Sequence, residues 1–135
     1  MTLQDFPATF FRVFALLFGL VWGSFLNVVI HRLPLGLSVV HPASRCPHCE
    51  TPIAAYRNIP VVSWVLMRGR SVCCKKPVSP RYVVVELIAG VLSLAIVEVL
   101  VLSQPGRTSL AHAGAIYGAS LALALGLLAL SLIHI

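Results

Sequence analysis

Charge is scarce in this sequence. Asp, Glu, Lys and Arg make up 10% of its 135 residues, against about a quarter in a soluble domain. Apolar residues make up 59%, and the mean hydropathy is +0.95. This balance excludes an ordinary soluble domain and points to a membrane protein. A cleavable secretory leader is also missing. The first apolar run has no basic segment before it, is too long, and has no small-x-small cleavage site after it, so it reads as a retained anchor. Low-complexity tracts are absent. So is the aromatic-studded basic groove of a single-strand binder, and the net charge of +6 therefore does not signal nucleic acid.

The bases that are present are concentrated. Eight of the ten Lys and Arg residues fall in 32–81: Arg32, Arg45, Arg57, Arg68, Arg70, Lys75, Lys76 and Arg81. On either side lie runs long enough to cross a bilayer, which takes about 20 helical residues. The expected organisation is an outer segment 1–9, a first transmembrane helix 10–31, a loop domain 32–81, a second helix 82–103, an outer turn 104–109 and a third helix 110–135. Pro34 ends the first run, and Pro80 precedes the second, where proline does least harm to a helix. By the positive-inside rule the basic loop is cytoplasmic. The expected fold class is an all-α membrane protein, three transmembrane helices with a zinc-ribbon-like loop between the first and second.

Within the first helix Ala15, Gly19, Gly23, Asn27 and His31 recur every four residues. Small residues at that spacing let another helix approach closely, and we read Ala15, Gly19 and Gly23 as packing. Gly114 and Gly118 in the third helix are read the same way. Polar groups inside a membrane are costly unless used, so Asn27 and His31 are candidate binding residues. Glu86, near the inner end of the second helix, is a third, although its carboxylate could simply reach the headgroups. Glu98 lies deeper, in the outer half, at the same depth as Arg12, and the two are expected to pair.

All four cysteines lie in the basic loop, and in a reducing compartment they favour metal over disulfides. Zinc takes four thiolates or imidazoles in a tetrahedron. "CPHC" at 46–49 is a strong knuckle signal. "SVCCKKP" at 71–77 repeats it at an offset of 25 residues, which sets Arg45 on Arg70, Cys49 on Cys74 and Pro52 on Pro77. In that register Ser71 stands where a ligand belongs, and a serine hydroxyl is a poor zinc ligand. Cys46, Cys49 and Cys74 are the expected ligands, with Cys73 the expected fourth and His48 the alternative. The competing reading is a lost site whose fold survives through other contacts. The apolar run between the knuckles is too short to span, so it packs on the ribbon or lies in the interface with Trp64 as anchor.

Four blocks, "GSFLNVVIHRLP" (23–34), "SRCPHCETPI" (44–53), "NIPVVSWVLMRGR" (58–70) and "PVSPRYVVVELIAG" (77–90), resemble the N-terminal domain of bacterial type IV prepilin peptidases. The resemblance implies a multi-pass protein of the bacterial inner membrane. Such enzymes cleave the leader of type IV pilins and pseudopilins at the cytoplasmic face. They then methylate the new N-terminus with S-adenosylmethionine, in pilus assembly or type II secretion. It also implies a zinc site of two C-x-x-C pairs, matched here at Cys46, Cys49 and Cys74 and departed from at Ser71. The family's peptidase uses two cytoplasmic aspartates. This chain has one aspartate, Asp5, expected outside. It therefore reads as a portion that stops short of the catalytic pair, with no catalytic residue and no peptidase activity alone. Its expected partners are the lipid bilayer and prepilin or pseudopilin substrates, with no nucleic acid. The alternative is a non-enzymatic zinc-ribbon membrane protein that docks a cytoplasmic partner.

Overall fold

The computed structural model describes residues 1–41, 44–46, 48–54 and 59–134. Arg57 of the basic loop and Pro47 of the first knuckle lie outside the described residues. Three helices are long and apolar enough to cross a membrane: Ala8–Leu35, Arg81–Val101 and Leu110–Ile133. No strand forms among the described residues. The protein is an all-helical, multi-pass membrane protein.

Helix α1, Ala8–Arg32, starts after Pro7 in extended conformation, with His31 and Arg32 in its last turn. Cations there complement the negative end of the helix dipole. The chain leaves through a 3-10 turn, Leu33–Leu35, stopped by Gly36 at φ 66°, a left-handed conformation that glycine takes without penalty. A short helix α2, Val62–Leu66, lies in the loop. Helix α3, Arg81–Ile96, follows Pro80 and continues as a π-helical turn, Val97–Val101. Helix α4, Leu110–Ile133, is capped by Ser109, whose side chain accepts from the His112 N–H.

α1 and α3 pack most closely, and α4 rests against both. The seam is the small-residue face. A Cβ at Gly19 would lie 2.5 Å from the Ser93 Cβ and 2.7 Å from the Ala89 carbonyl oxygen, and one at Gly23 would lie 2.8 Å from the Glu86 Cα. Backbone atoms cannot swing aside, so either Gly→Ala change forces the two helices apart. Ser93 closes the seam to all three helices. Its hydroxyl donates to the Ala15 carbonyl at 2.6 Å and bonds the Tyr117 hydroxyl at 2.7 Å. α4 departs from expectation. A Cβ at Gly114 or Gly118 would meet nothing within 4 Å, because α4 turns Ala113, Leu121, Leu125 and Ala129 inward instead.

At the end of the bundle away from the cysteine loop, Arg12 and Glu98 form the expected pair, with Nε–Oε1 at 2.6 Å and Nη2–Oε2 at 3.3 Å. An unpaired charge near a helix centre costs about 2.5–3.5 kcal/mol on insertion scales, and the two-pronged contact offsets that cost for both. Asp5 is in use as well. It accepts from the Thr2 N–H at 2.7 Å and the Thr2 hydroxyl at 3.2 Å, and the Thr2 N–H holds its carboxyl below the usual range.

Candidate metal centre and adjoining cleft

The two cysteine segments fold into the same turn. In the first, the Cys46 N–H donates to Thr51 O (3.0 Å), the Glu50 N–H to Cys46 O (2.9 Å) and the Ile53 N–H to Ser44 O (2.8 Å). In the second, the Ser71 N–H donates to Lys76 O (2.9 Å), the Lys75 N–H to Ser71 O (3.0 Å) and the Val78 N–H to Gly69 O (2.7 Å). A bridge joins Arg45 to Pro52, and another joins Arg70 to Pro77. Glu50 and Lys75 share a left-handed conformation, φ 56° and 58°. Each feature of the second turn lies 25 residues beyond its counterpart, the separation of Cys46 and Ser71.

The turns face each other and bring the four sulfurs within 4.8 Å of one another. Cys46 is buried and Cys49 and Cys73 are exposed. Cys46 and Cys74 sulfurs lie 3.7 Å apart, close to the roughly 3.8 Å edge of a tetrahedron with zinc–sulfur bonds of about 2.3 Å. Cys49 and Cys73 sulfurs lie 2.9 Å apart, so accepting an ion means opening that pair. Four thiols clustered at this distance fit a metal such as zinc.

Ser71 holds the position that the repeat assigns to a ligand, but it acts as a hydrogen-bonding group. Its oxygen lies 3.2 Å from the Cys46 sulfur and 2.9 Å from that of Cys73. The Ser71 hydroxyl, followed by the His48 N–H, lowers the Cys46 thiol from 9.0 to about 5. Cys73 and Thr51 lower Cys49. The contact with Cys49 raises Cys73 to about 11. The Cys46 sulfur is thus poised as a thiolate, the form that binds metal, while Cys73 keeps its proton. His48 takes no part, because its Nε2 bonds the Pro77 carbonyl at 3.2 Å.

Between this cluster and the ends of α1 and α3 lies a cleft of about 680 Å³, lined by Asn27, His31, Tyr82 and Glu86 on the helix side and Cys46, Cys73, Arg45 and Arg70 on the loop side. The structure therefore gathers Asn27, His31 and Glu86 in one cleft and sets two of the cysteines across from them. Asn27 is buried, and its Nδ2 donates to the Tyr82 carbonyl at 3.0 Å. His31 is exposed on the last turn of α1. Glu86 does not reach out to the headgroups. It is buried, and its Oε2 accepts from the Val61 N–H at 2.7 Å, so the loop folds down over it.

Val61 sits at φ 60°, an outlier for a β-branched residue. Nothing in the sequence pattern signals it. Trp64 takes the first of its two expected places, on the ribbon. Its Nε1 donates to the Val78 carbonyl at 3.1 Å, and its ring lies over Gly69, where a Cβ would be 2.8 Å from it. It anchors the second turn to α2. Arg45 and Arg70 had a signal, since the repeat makes them equivalents.

A family profile described as Bacterial Peptidase A24 N-terminal domain matches residues 17–100, a span that holds both turns and all of the residues named for the cleft. The chain belongs to the bacterial peptidase A24 N-terminal domain family. Proteins called prepilin leader peptidase/N-methyltransferase are similar to this A24 N-terminal domain. That of Myxococcus xanthus is 49% identical over 98 residues, covering 70% of this chain and 29% of the relative. That of Klebsiella pneumoniae is 51% identical over 85 residues, covering 58% and 37%. That of Aeromonas hydrophila is 41% identical over 119 residues, covering 70% and 40%. The chain spans about a third of the length of these relatives. No solved structure matches the A24 N-terminal domain presented by this chain.

Proposed function

We propose that this chain is the N-terminal, membrane-embedded portion of a prepilin leader peptidase/N-methyltransferase of the bacterial inner membrane. In this reading the loop is cytoplasmic, and the cleft receives the new N-terminus of a type IV pilin or pseudopilin together with S-adenosylmethionine. The observation that carries it is the gathering of Asn27, His31 and Glu86 in one cleft at the ends of α1 and α3, in a chain whose relatives bear that name. The basic excess of the loop supports the cytoplasmic placement.

The cleft's volume suits a small-molecule site. When bound, S-adenosylmethionine supplies an electrophilic methyl group on a cationic sulfur. Glu86 on one wall and Glu50 on the other present carboxylates to a cation. Asn27 fixes the spacing of α1 and α3 through Tyr82, and the His31 imidazole is placed to take the proton that an amine sheds. Cys46, Cys49, Cys73 and Cys74 hold zinc, which fixes the far wall. Paired aspartates need two carboxyls, and the one aspartate here is committed to Thr2. These residues alone therefore bind but do not cleave.

The test is binding of labelled S-adenosylmethionine to the zinc-loaded chain in lipid nanodiscs. Saturable binding is expected. Glu86→Gln keeps an acceptor for the Val61 N–H while removing the charge, and it should weaken binding about tenfold, the worth of one charged contact. No saturable binding, or binding indifferent to Glu86→Gln, overturns the reading.

A further inference from the structure

We infer that α2 is an interfacial wedge, which inserts the exposed apolar side chains of Val65 and Leu66 among anionic lipid headgroups and is held there by the bases that follow it. Three observations combine to support this.

The first is depth. The Val61 N–H, at the start of α2, is bonded to Glu86, five residues into the transmembrane helix that begins at Arg81. Five helical residues rise about 7.5 Å, so α2 meets α3 well below its end. Arg81 marks that end as level with the end of α4, because its Nη2 donates to the Leu132 carbonyl at 3.2 Å. A five-residue helix docked at that depth is surrounded by headgroups, not by bulk water.

The second is polarity. Trp64 turns inward onto Gly69 and Val78, so α2's opposite face has no cover among the described residues. Val65 is 58% exposed and Leu66 77% exposed. The third is charge. Residues 59–81 contain Arg68, Arg70, Lys75, Lys76 and Arg81 and no Asp or Glu. An apolar edge followed by an uncompensated basic stretch fits an anionic membrane surface, which attracts juxtamembrane bases and admits apolar side chains to shallow depth. A protein partner with a flat apolar face would leave those bases without counter-charge.

The experiment uses the whole chain in vesicles of phosphatidylcholine with or without phosphatidylglycerol. Leu66→Trp adds an emitter at an exposed position, read as the difference from the parent protein. The added emission should be quenched by lipid nitroxides near the headgroup more than by nitroxides near the chain end, and shielded from aqueous iodide. Phosphatidylglycerol should strengthen that pattern. Arg68→Gln and Arg70→Gln should each shift the inserted-to-withdrawn ratio about fivefold, the worth of one base near an anionic surface, and Arg68→Lys should restore it. Ready quenching by iodide with none by nitroxides would mean that the edge stands in water, and overturns the inference. Shielding from both quenchers would mean a protein covers it, and overturns it too. Nitroxide quenching indifferent to phosphatidylglycerol and to both arginines removes the anionic partner and with it the proposal.

Discussion

The two cysteine turns have one backbone and two chemistries. Each main-chain hydrogen bond described within 44–53 has its counterpart in 69–78, so the shared shape follows the main-chain bonds and not the thiols. What differs is which side chain looks inward. Position 48 and its equivalent, position 73, are opposite in behaviour. His48 reaches across to the Pro77 carbonyl, whereas Cys73 turns its sulfur toward Cys49. The first position of the second turn has become a hydroxyl that contacts two sulfurs, and the thiol lost there is supplied two residues later. A rigid turn tolerates a change of ligand position because its shape does not depend on the ligand.

The largest effect expected from breaking this comparison is at Cys46, the one buried thiol. Cys46→Ala should abolish zinc retention through chelator washes, a loss beyond the roughly 10–100-fold that outer-shell changes cost. The equivalent change at the second turn, Ser71→Ala, should fall within that range.

Next comes the substitute thiol. Cys73→Ser alone should weaken zinc binding severely, and the same change in a Ser71→Cys background should be nearly harmless, because the regular register is then restored. Competition against a chromophoric chelator measures both. A harmless Cys73→Ser in the parent protein would show that the first turn needs no help from position 73.

Acidity gives a smaller effect. The thiol of Cys46 is lowered from 9.0 to about 5, so its contribution to stability is present above 9.0 and is lost as pH falls through about 5. Cys73 is raised from 9.0 to about 11, so its contribution is present below 9.0 and is lost as pH rises through about 11. Thermal melts of the metal-free protein should peak near pH 9, and Ser71→Ala should flatten the acid limb.

The smallest effect should be equal in both turns. Glu50→Gly and Lys75→Gly each relieve a left-handed residue, and each should add about 1 kcal/mol in melts of the zinc-loaded protein. A gain in one turn only would show that the backbones are not equivalent.

The sequence displays the helices because runs of apolar residues bounded by proline have one cheap solution in a membrane. It displays the Arg12–Glu98 pair because those two opposite charges lie at matching depth in the first two apolar runs, and the seam of Gly19 and Gly23 because close approach demands small residues at fixed spacing. It hides whatever depends on where a side chain points. Glu86 could have snorkelled, and only the loop's descent onto it through Val61 makes it a wall of the cleft. Trp64 suits the ribbon or the interface by composition alone, and the space that Gly69 leaves for its ring is what the pattern does not display. Gly114 and Gly118 have the spacing of a contact and face open space, since spacing fixes a face but not its neighbour.

The π turn at the Arg12 end of α3 gives that helix one place where its length can change without its phase. The Leu102 N–H bonds Val97 O at 2.8 Å, five residues back, so this turn holds one residue more than its neighbours. Deleting one of residues 97–101 would let the turn close as an ordinary α-turn, so what lies beyond would keep its phase, whereas a deletion in the α-helical body, where no residue is spare, would swing everything beyond by about 100°. A loss after Glu98 would also leave that carboxylate on Arg12. A one-codon loss is therefore cheapest in this turn, and the natural history of this helix should show its gaps here and not in the α-helical body.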